Sequence, residues 1–288
     1  MKIFLSIVLV FILVVSLAFS IDESAMALHD EAFNRAMIAF GLAKGLNAVI
    51  SLLQGTELSF TPVGVGLNFS VGEVLDPFND MVERFSWVML FASVSLGIQK
   101  LLLVLSSKLF LQVALGLSAL VTIAFLWVKQ ITNSLFLSYA LKLFTLLLLL
   151  RFSAVIFVYS SELLYTSTLQ SQYKEASITL EKTKEELEEL QSKNKRLVHS
   201  KKEEGFFNGM SSKYEKVIES LNISRQLDSL QSSIENASRK IITLITIFVV
   251  QSLVMPLLFL WFFVLSVKFV FKNEFTIESL KRGYNYEI

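Results

Sequence analysis

The sequence predicts a mainly α-helical, polytopic membrane protein that also carries a small β-hairpin and a long antiparallel coiled-coil hairpin. Apolar residues make up 53% of the chain, above the roughly 45–50% usual in soluble domains, and they collect in long runs. A polar region from 162 to 240 precedes the last of these runs. Within that region, apolar residues recur at heptad spacing, which is typical of a coiled coil.

Residues 1–20 are predicted to be a signal peptide or an N-terminal anchor. One lysine precedes an uncharged, mostly apolar run from Ile3 to Phe19, and Ala18-Phe19-Ser20 resembles a small-x-small cleavage site. The run is also nearly long enough to cross about 30 Å of hydrocarbon, as an anchor would. In either case, we expect residues 21–85 to be extracytoplasmic.

Residues 21–85 are predicted to form an amphipathic helix followed by short strands at the membrane surface. The helix, over 22–54, has Lys44 and Asn47 near the middle of its apolar part, which argues against a full span. Its GLAKG motif at 41–45 has the spacing that lets helices approach closely, or the two glycines occur by chance in a surface helix. The expected apolar stripe consists of Phe33, Met37, Phe40, Leu46, Val49, Ile50 and Leu53.

The stretch TELSFTPVGVGLNFSVG, residues 56–72, predicts the β-hairpin. Apolar residues alternate there with Gly, Asn and Ser, which indicates strands with one apolar face. Asp76-Pro77 then predicts the start of a helix, with an N-cap residue followed by proline at the first helical position.

Three transmembrane helices are predicted within residues 86–160, and a fourth over 241–267. The first three cover Ser86–Ser106, Leu109–Val128 and Ser134–Tyr159. Pro256 predicts a kink in the last span, and residues 268–288 form a short polar tail.

Residues 161–240 are predicted to form the coiled-coil hairpin outside the membrane, with its tip near 203–211. The heptad positions are Tyr173, Ala176, Leu180, Thr183, Leu187, Leu190, Asn194 and Leu197 on the first arm, and Leu227, Leu230, Ile234, Ala237 and Ile241 on the second. Phe206, Phe207 and Met210 at the tip are candidate partner-binding residues, because exposed aromatic residues favour contact with another protein. Alternatively, they cap the hairpin's own core or join several tips.

Cations occur within the apolar region without acidic residues. No Asp or Glu lies between Phe85 and Ser161, whereas Lys100, Lys142 and Arg151 do. Such residues are costly in hydrocarbon unless they snorkel, pack within the helices, or line a path for anions or lipid phosphates.

The expected location is the inner (plasma) membrane. With Met1 inside the cell, counting spans puts the hairpin in the cytoplasm, on the side opposite residues 21–85. The same count puts the tail outside, on the same side as residues 21–85. Treating Ala36–Gln54 as a further span would reverse everything after it.

The composition argues against most chemical functions. There is no cysteine, the formal net charge is +1, and no phosphate-binding, hydrolase or zinc motif occurs. We therefore expect no enzyme activity, no cofactor, no metal and no nucleic acid. The expected function is a membrane scaffold or adaptor that binds a protein partner, or a second copy, through the hairpin. The alternative is a channel or transporter subunit; a membrane-active toxin is a third possibility.

Overall fold

The computed structural model describes residues 2–16, 19–54, 71–128, 135–200 and 212–272. In these ranges the chain is almost entirely helical and contains no strand. The helices are α1 (Lys2–Ser16), α2 (Phe19–Gln54), α3 (Val71–Ser106), α4 (Leu109–Trp127), α5 (Leu135–Leu164), α6 (Gln170–Ser200), α7 (Ser212–Val249) and α8 (Met255–Lys272). π-helical turns at Tyr165–Leu169 and Val250–Val254 join α5 to α6 and α7 to α8.

Five of the described helical stretches are long and apolar enough to cross a membrane, so the helical membrane-protein class is confirmed at that level. They are Ile21–Gln54, Leu75–Ser106, Leu109–Trp127, Leu135–Ser192 and Ser229–Lys272. The predicted β-hairpin lies almost entirely in residues 55–70, outside the described residues.

The predicted helix start at Asp76-Pro77 is wrong. α3 begins at Val71, so Pro77 lies inside the helix. The carboxylate of Asp76 accepts a hydrogen bond from Gln54 Nε2 at 2.6 Å instead of capping the helix. The apolar spacing from Leu75 to Phe78, both buried, extends the amphipathic pattern across the proline.

Two compact units make up the chain. The first consists of Met1–Phe33, Val94–Tyr165 and Gln251–Ile288, and the second of Asn34–Ser93 and Thr166–Val250.

In the first unit, α4 packs against α1 and α5, and α5 packs against α8. α1 and α4 run antiparallel, since Trp127 Nε1 donates to Ser6 Oγ at 3.4 Å and a Cβ on Gly116 would lie 3.7 Å from Leu13. Leu9 of α1 is buried in the same cluster as residues of α4 and α5.

The irregularity predicted at Pro256 takes the form of a π-helical turn just before it. Proline has no N–H to donate to the carbonyl four residues earlier, which here belongs to Ser252. Ser95 Oγ on α3 donates to that carbonyl at 2.7 Å. A side chain from a neighbouring helix thus donates to a carbonyl for which the proline supplies no N–H.

The second unit consists of four helical segments, each with buried side chains at steps of three and four residues. These positions are Ala36, Ala39, Ala43, Leu46, Ile50 and Leu53 on α2; Leu75, Phe78, Val82, Phe85, Met89 and Ala92 on α3; Ala176, Leu180, Thr183 and Leu187 on α6; and Leu230, Ile234, Ala237, Ile241, Leu244 and Phe248 on α7. Such spacing keeps one face of every helix directed at its neighbours.

The apolar stripe predicted on α2 is right in its second half and wrong in its first. Leu46, Ile50 and Leu53 are buried, but Met37 is 43% exposed and the alanines beside it are buried instead. Small side chains permit close approach between helices, so they take the inner face. In the candidate span on α2, 39% of the apolar window is buried, against 28% in the other four. Neighbouring helices therefore cover a larger share of this candidate span than of the others.

α6 and α7 lie antiparallel in the second unit. Glu175 on α6 pairs with Lys240 on α7 at 2.6 Å, and the rings of Tyr173 and Phe248 meet edge to face at 6.0 Å. α2 runs parallel to α6 beside them. The Tyr173 hydroxyl donates to the Arg35 carbonyl at 3.3 Å. Ten residues further along α2, a Cβ added to Gly45 would lie 3.0 Å from Lys184 Cε. Both contacts advance in the same direction along the two helices, so the helices are parallel.

These contacts place residues 34–54 of α2 directly beside α6 in the second unit. α2 and the first half of α3 bury apolar faces in that unit. The side of the membrane on which each segment lies stays a prediction.

Candidate functional site

The most deeply buried charged groups of the first unit are Arg151 on α5 and Asp22 on α2. Arg151 is 2% exposed and Asp22 is 5% exposed. Arg151 Nη1 donates to Asp22 Oδ1 at 2.8 Å, and Nη2 donates to Oδ2 at 2.5 Å. This two-pronged geometry is the strong form of an arginine–carboxylate contact.

Arg151 lies beside the last described residue of α1 and the first turn of α2. The carbonyl of Ser16 on α1 accepts a hydrogen bond from Arg151 Nη2 at 3.1 Å. Asp22 lies in the first turn of α2, where an acid is favoured. One guanidinium therefore links α1, α2 and α5.

The Arg151–Asp22 pair has an aromatic ring on one side. On the other side lie buried polar atoms that have no hydrogen-bond partner among the described residues. The Arg151 guanidinium lies 5.5 Å from the centre of the Phe152 ring, within cation–π distance. Arg151 Nε and Ser16 Oγ are buried and have no hydrogen-bond partner among the described residues. The charges cancel within the pair, so the site presents little net charge to a passing ion.

A second polar group in the same unit involves His29, Asp30 and Lys100. Lys100 Nζ lies 2.6 Å from Asp30 Oδ1, and both side chains are about half exposed at 43% and 47%. His29 is buried beside them, and neither ring nitrogen has a hydrogen-bond partner among the described residues. The described part of the chain holds no group of three or more acids and histidines able to bind a metal ion.

The three membrane cations predicted from the sequence are each engaged by the protein. Arg151 pairs with Asp22 and Lys100 with Asp30. Lys142 Nζ donates to the Phe271 carbonyl at 3.2 Å, in the last turn of α8, where a cation is favoured. The structure does not bring the three together in one cluster. Phe206, Phe207 and Met210 lie outside the described residues.

Sequence reasoning missed Asp22, Ser16 and Asp30. Asp22 was expected in a surface helix outside the membrane, because it follows the N-terminal apolar run whether that run is cleaved or stays as an anchor. One signal could have identified it: an arginine inside an apolar helix requires an acid, and Asp22 is the first acid after the N-terminal apolar run.

The Arg151–Asp22 pair is suited to holding helices together. The described residues around the pair include no activated nucleophile. Comparison of the chain with protein-family models, with curated proteins and with solved structures found no match.

Proposed function

We propose that the chain is a non-enzymatic integral membrane scaffold that presents its α6–α7 hairpin to a protein partner or to a second copy of itself. The observation that carries this proposal is the anchoring of the hairpin on α2. Tyr173 and Lys184 of α6 contact Arg35 and Gly45 of α2, so the hairpin has a broad helical base.

The lengths of the helices support presentation at a projecting end. α2 ends nine residues after Gly45, whereas the parallel α6 continues for 16 residues after Lys184. The difference of seven residues corresponds to about 10 Å of helix. Residues 201–211, which include Phe206, Phe207 and Met210, connect α6 to α7. On this proposal α6 and α7 form a coiled coil as they leave the base.

The test is a double substitution, Phe206→Ser with Phe207→Ser, in the full-length protein purified from membranes. We expect loss of the oligomer, or of a partner that is cross-linked in cells, while insertion into the membrane and helix content stay unchanged. Ile178→Ser is the matched control, since Ile178 is also an exposed apolar residue of α6, at 54%. The same oligomeric state and the same partner recovery in the double variant and the parent would contradict the proposal.

The alternative, a channel or transporter subunit with Lys142 and Arg151 beside an anion path, has less support. Arg151 is neutralised by Asp22, and Lys142 is bound to the end of α8. Substituting Lys142→Leu should leave anion flux into reconstituted vesicles unchanged. A flux in the parent that falls in this variant would favour the alternative.

A further inference from the structure

Two exposed tyrosines bracket an apolar surface on α5. Tyr139 and Tyr159 lie 20 residues apart, which corresponds to about 30 Å of helix and matches the thickness of the hydrocarbon core of a bilayer. The exposed residues between them are Leu143, Leu150 and Ile156. Tyrosine favours the membrane–water interface, because its ring is apolar and its hydroxyl is polar. α5 therefore has the surface of one crossing with a tyrosine at each interface.

Contacts between helices bring four helix ends to the level of Tyr139. Trp127, the exposed last residue of α4, donates to Ser6 near the start of α1. α5 begins eight residues after Trp127 and packs against α4. Lys142, three residues after Tyr139, donates to the carbonyl of Phe271 in the last turn of α8. The starts of α1 and α5 and the ends of α4 and α8 therefore lie together in the first unit.

α8 follows α5 over the same length in the opposite direction. The Phe259 ring packs edge to face at 5.3 Å on the ring of Phe157, which lies just before Tyr159. Further along α8, Phe271 contacts Lys142 near the other end of α5. The two helices are therefore antiparallel, and α8 extends between the levels of the two tyrosines.

The half-exposed pair of Asp30 and Lys100 lies near the level of Tyr159. Asp22 on α2 contacts Arg151 on α5, and both helices contribute to one apolar cluster beyond that contact. Asp30 is eight residues after Asp22, and Tyr159 is eight residues after Arg151. Water can solvate the Asp30–Lys100 pair at an interface, whereas the buried Arg151–Asp22 pair lies about 12 Å further into the hydrocarbon.

Depth also separates two exposed tryptophans of the first unit. Trp127 lies at the level of Tyr139, whereas Trp261 lies 11 residues before Lys272, the last residue of α8. That separation is about 16 Å along the helix, which brings Trp261 close to the middle of the bilayer. Lys268 and Lys272 are exposed, and lysines near the end of a span reach the headgroups.

We propose that the first unit contacts the bilayer over the roughly 30 Å between Tyr139 and Tyr159. Trp127 then lies in one headgroup layer, and the Asp30–Lys100 pair lies in the other. The start of α1 and the end of α8 share one side of the membrane, whereas counting spans puts them on opposite sides. This inference does not depend on the scaffold function.

The depth is tested by fluorescence of two proteins that each keep one of the three tryptophans. With Trp87→Phe in both, Trp261→Phe leaves Trp127, and Trp127→Phe leaves Trp261; these two are similarly exposed, at 61% and 58%. The vesicles contain phosphatidylcholine brominated either near the headgroup or near the end of the acyl chain. We expect the shallow bromines to quench Trp127 more strongly and the deep bromines to quench Trp261 more strongly. The same preference in both proteins, or the reverse order, overturns the proposal.

The shared side is tested by labelling of single cysteines with a membrane-impermeant maleimide. We expect Lys2→Cys and Lys272→Cys to be labelled from the same side of vesicles, and Lys108→Cys, which precedes α4, from the other side. Counting spans instead groups Lys108 with Lys2 and separates both from Lys272, and that result overturns the proposal. Labelling in detergent shows that each cysteine reacts; a Lys2→Cys protein unlabelled in detergent has lost α1, which overturns the proposal as well.

Discussion

The carboxylate of Asp22 and the guanidinium of Arg151, 129 residues apart in the chain, form two hydrogen bonds inside the apolar first unit. Arg151 also binds the last carbonyl of α1, at Ser16. The pair therefore joins the N-terminal helices to α5 and removes the cost of an isolated charge in hydrocarbon.

Removing either partner of this pair should destabilise the protein strongly. Arg151→Met or Asp22→Leu leaves one buried charge uncompensated, which costs about 3–5 kcal/mol. The double variant should recover much of that loss, because an apolar pair of similar volume is often as stable as a buried ion pair. The measurement is the free energy of unfolding in detergent.

The control for the ion pair is Lys100→Gln. It breaks the half-exposed pair with Asp30 and should cost no more than about 1 kcal/mol. A double variant no more stable than the worse single variant would show that the pair is not the reason for the loss.

Ser95→Ala should cost about 1 kcal/mol, since it removes the donor to the Ser252 carbonyl. The loss should shrink in a Pro256→Ala background, because alanine restores an N–H that can reach this carbonyl within the helix. Thermal unfolding of the two single variants and the double variant measures the coupling.

Ser118→Ala serves as the comparison for Ser95. Its hydroxyl is also buried but bonds only a carbonyl of its own helix, that of Leu115 at 2.8 Å, so we expect a smaller loss. Equal effects of Ser95→Ala with and without Pro256 would argue against the account given for the π-helical turn.

Gly45 and Gly41 in α2 should respond differently to the same substitution. A Cβ at Gly45 meets Lys184 Cε at 3.0 Å, whereas nothing lies within 4 Å of a Cβ at Gly41. Gly45→Leu should therefore push α6 away and lower the melting temperature, while Gly41→Leu should be neutral or stabilising through helix propensity. Gly45→Ala should be tolerated, since the end of a lysine side chain can move. Similar melting temperatures for the two leucine variants would contradict the contact with α6.

Labelling of single cysteines tests the shared side of α2 and α6. The chain has no cysteine, so Lys44→Cys and Lys174→Cys each provide one site. We expect a membrane-impermeant maleimide to label both from the same side of vesicles, because α2 and α6 pack together in the second unit. Labelling from opposite sides would support the arrangement obtained by counting spans.

Local patterns in the sequence predicted several features correctly. The heptad positions Ala176, Leu180 and Leu187 on α6, and Ile234 and Ile241 on α7, are buried as expected. Proline at 256 predicted an irregular helix because a missing N–H acts on the nearest turn whatever the fold. The candidate site was predicted only in part: Arg151 was identified as a membrane-embedded cation, but its partners were not.

Amino-acid composition and spacing were sufficient to establish a helical membrane protein with a polar, heptad-bearing region, because hydropathy and periodicity are properties of neighbouring residues. The packing of helices alone decided which acid meets Arg151, which hydroxyl reaches the Ser252 carbonyl, and that α2 packs beside α6. Those contacts join residues more than a hundred positions apart, and an apolar face has the same pattern whether a helix or a lipid covers it.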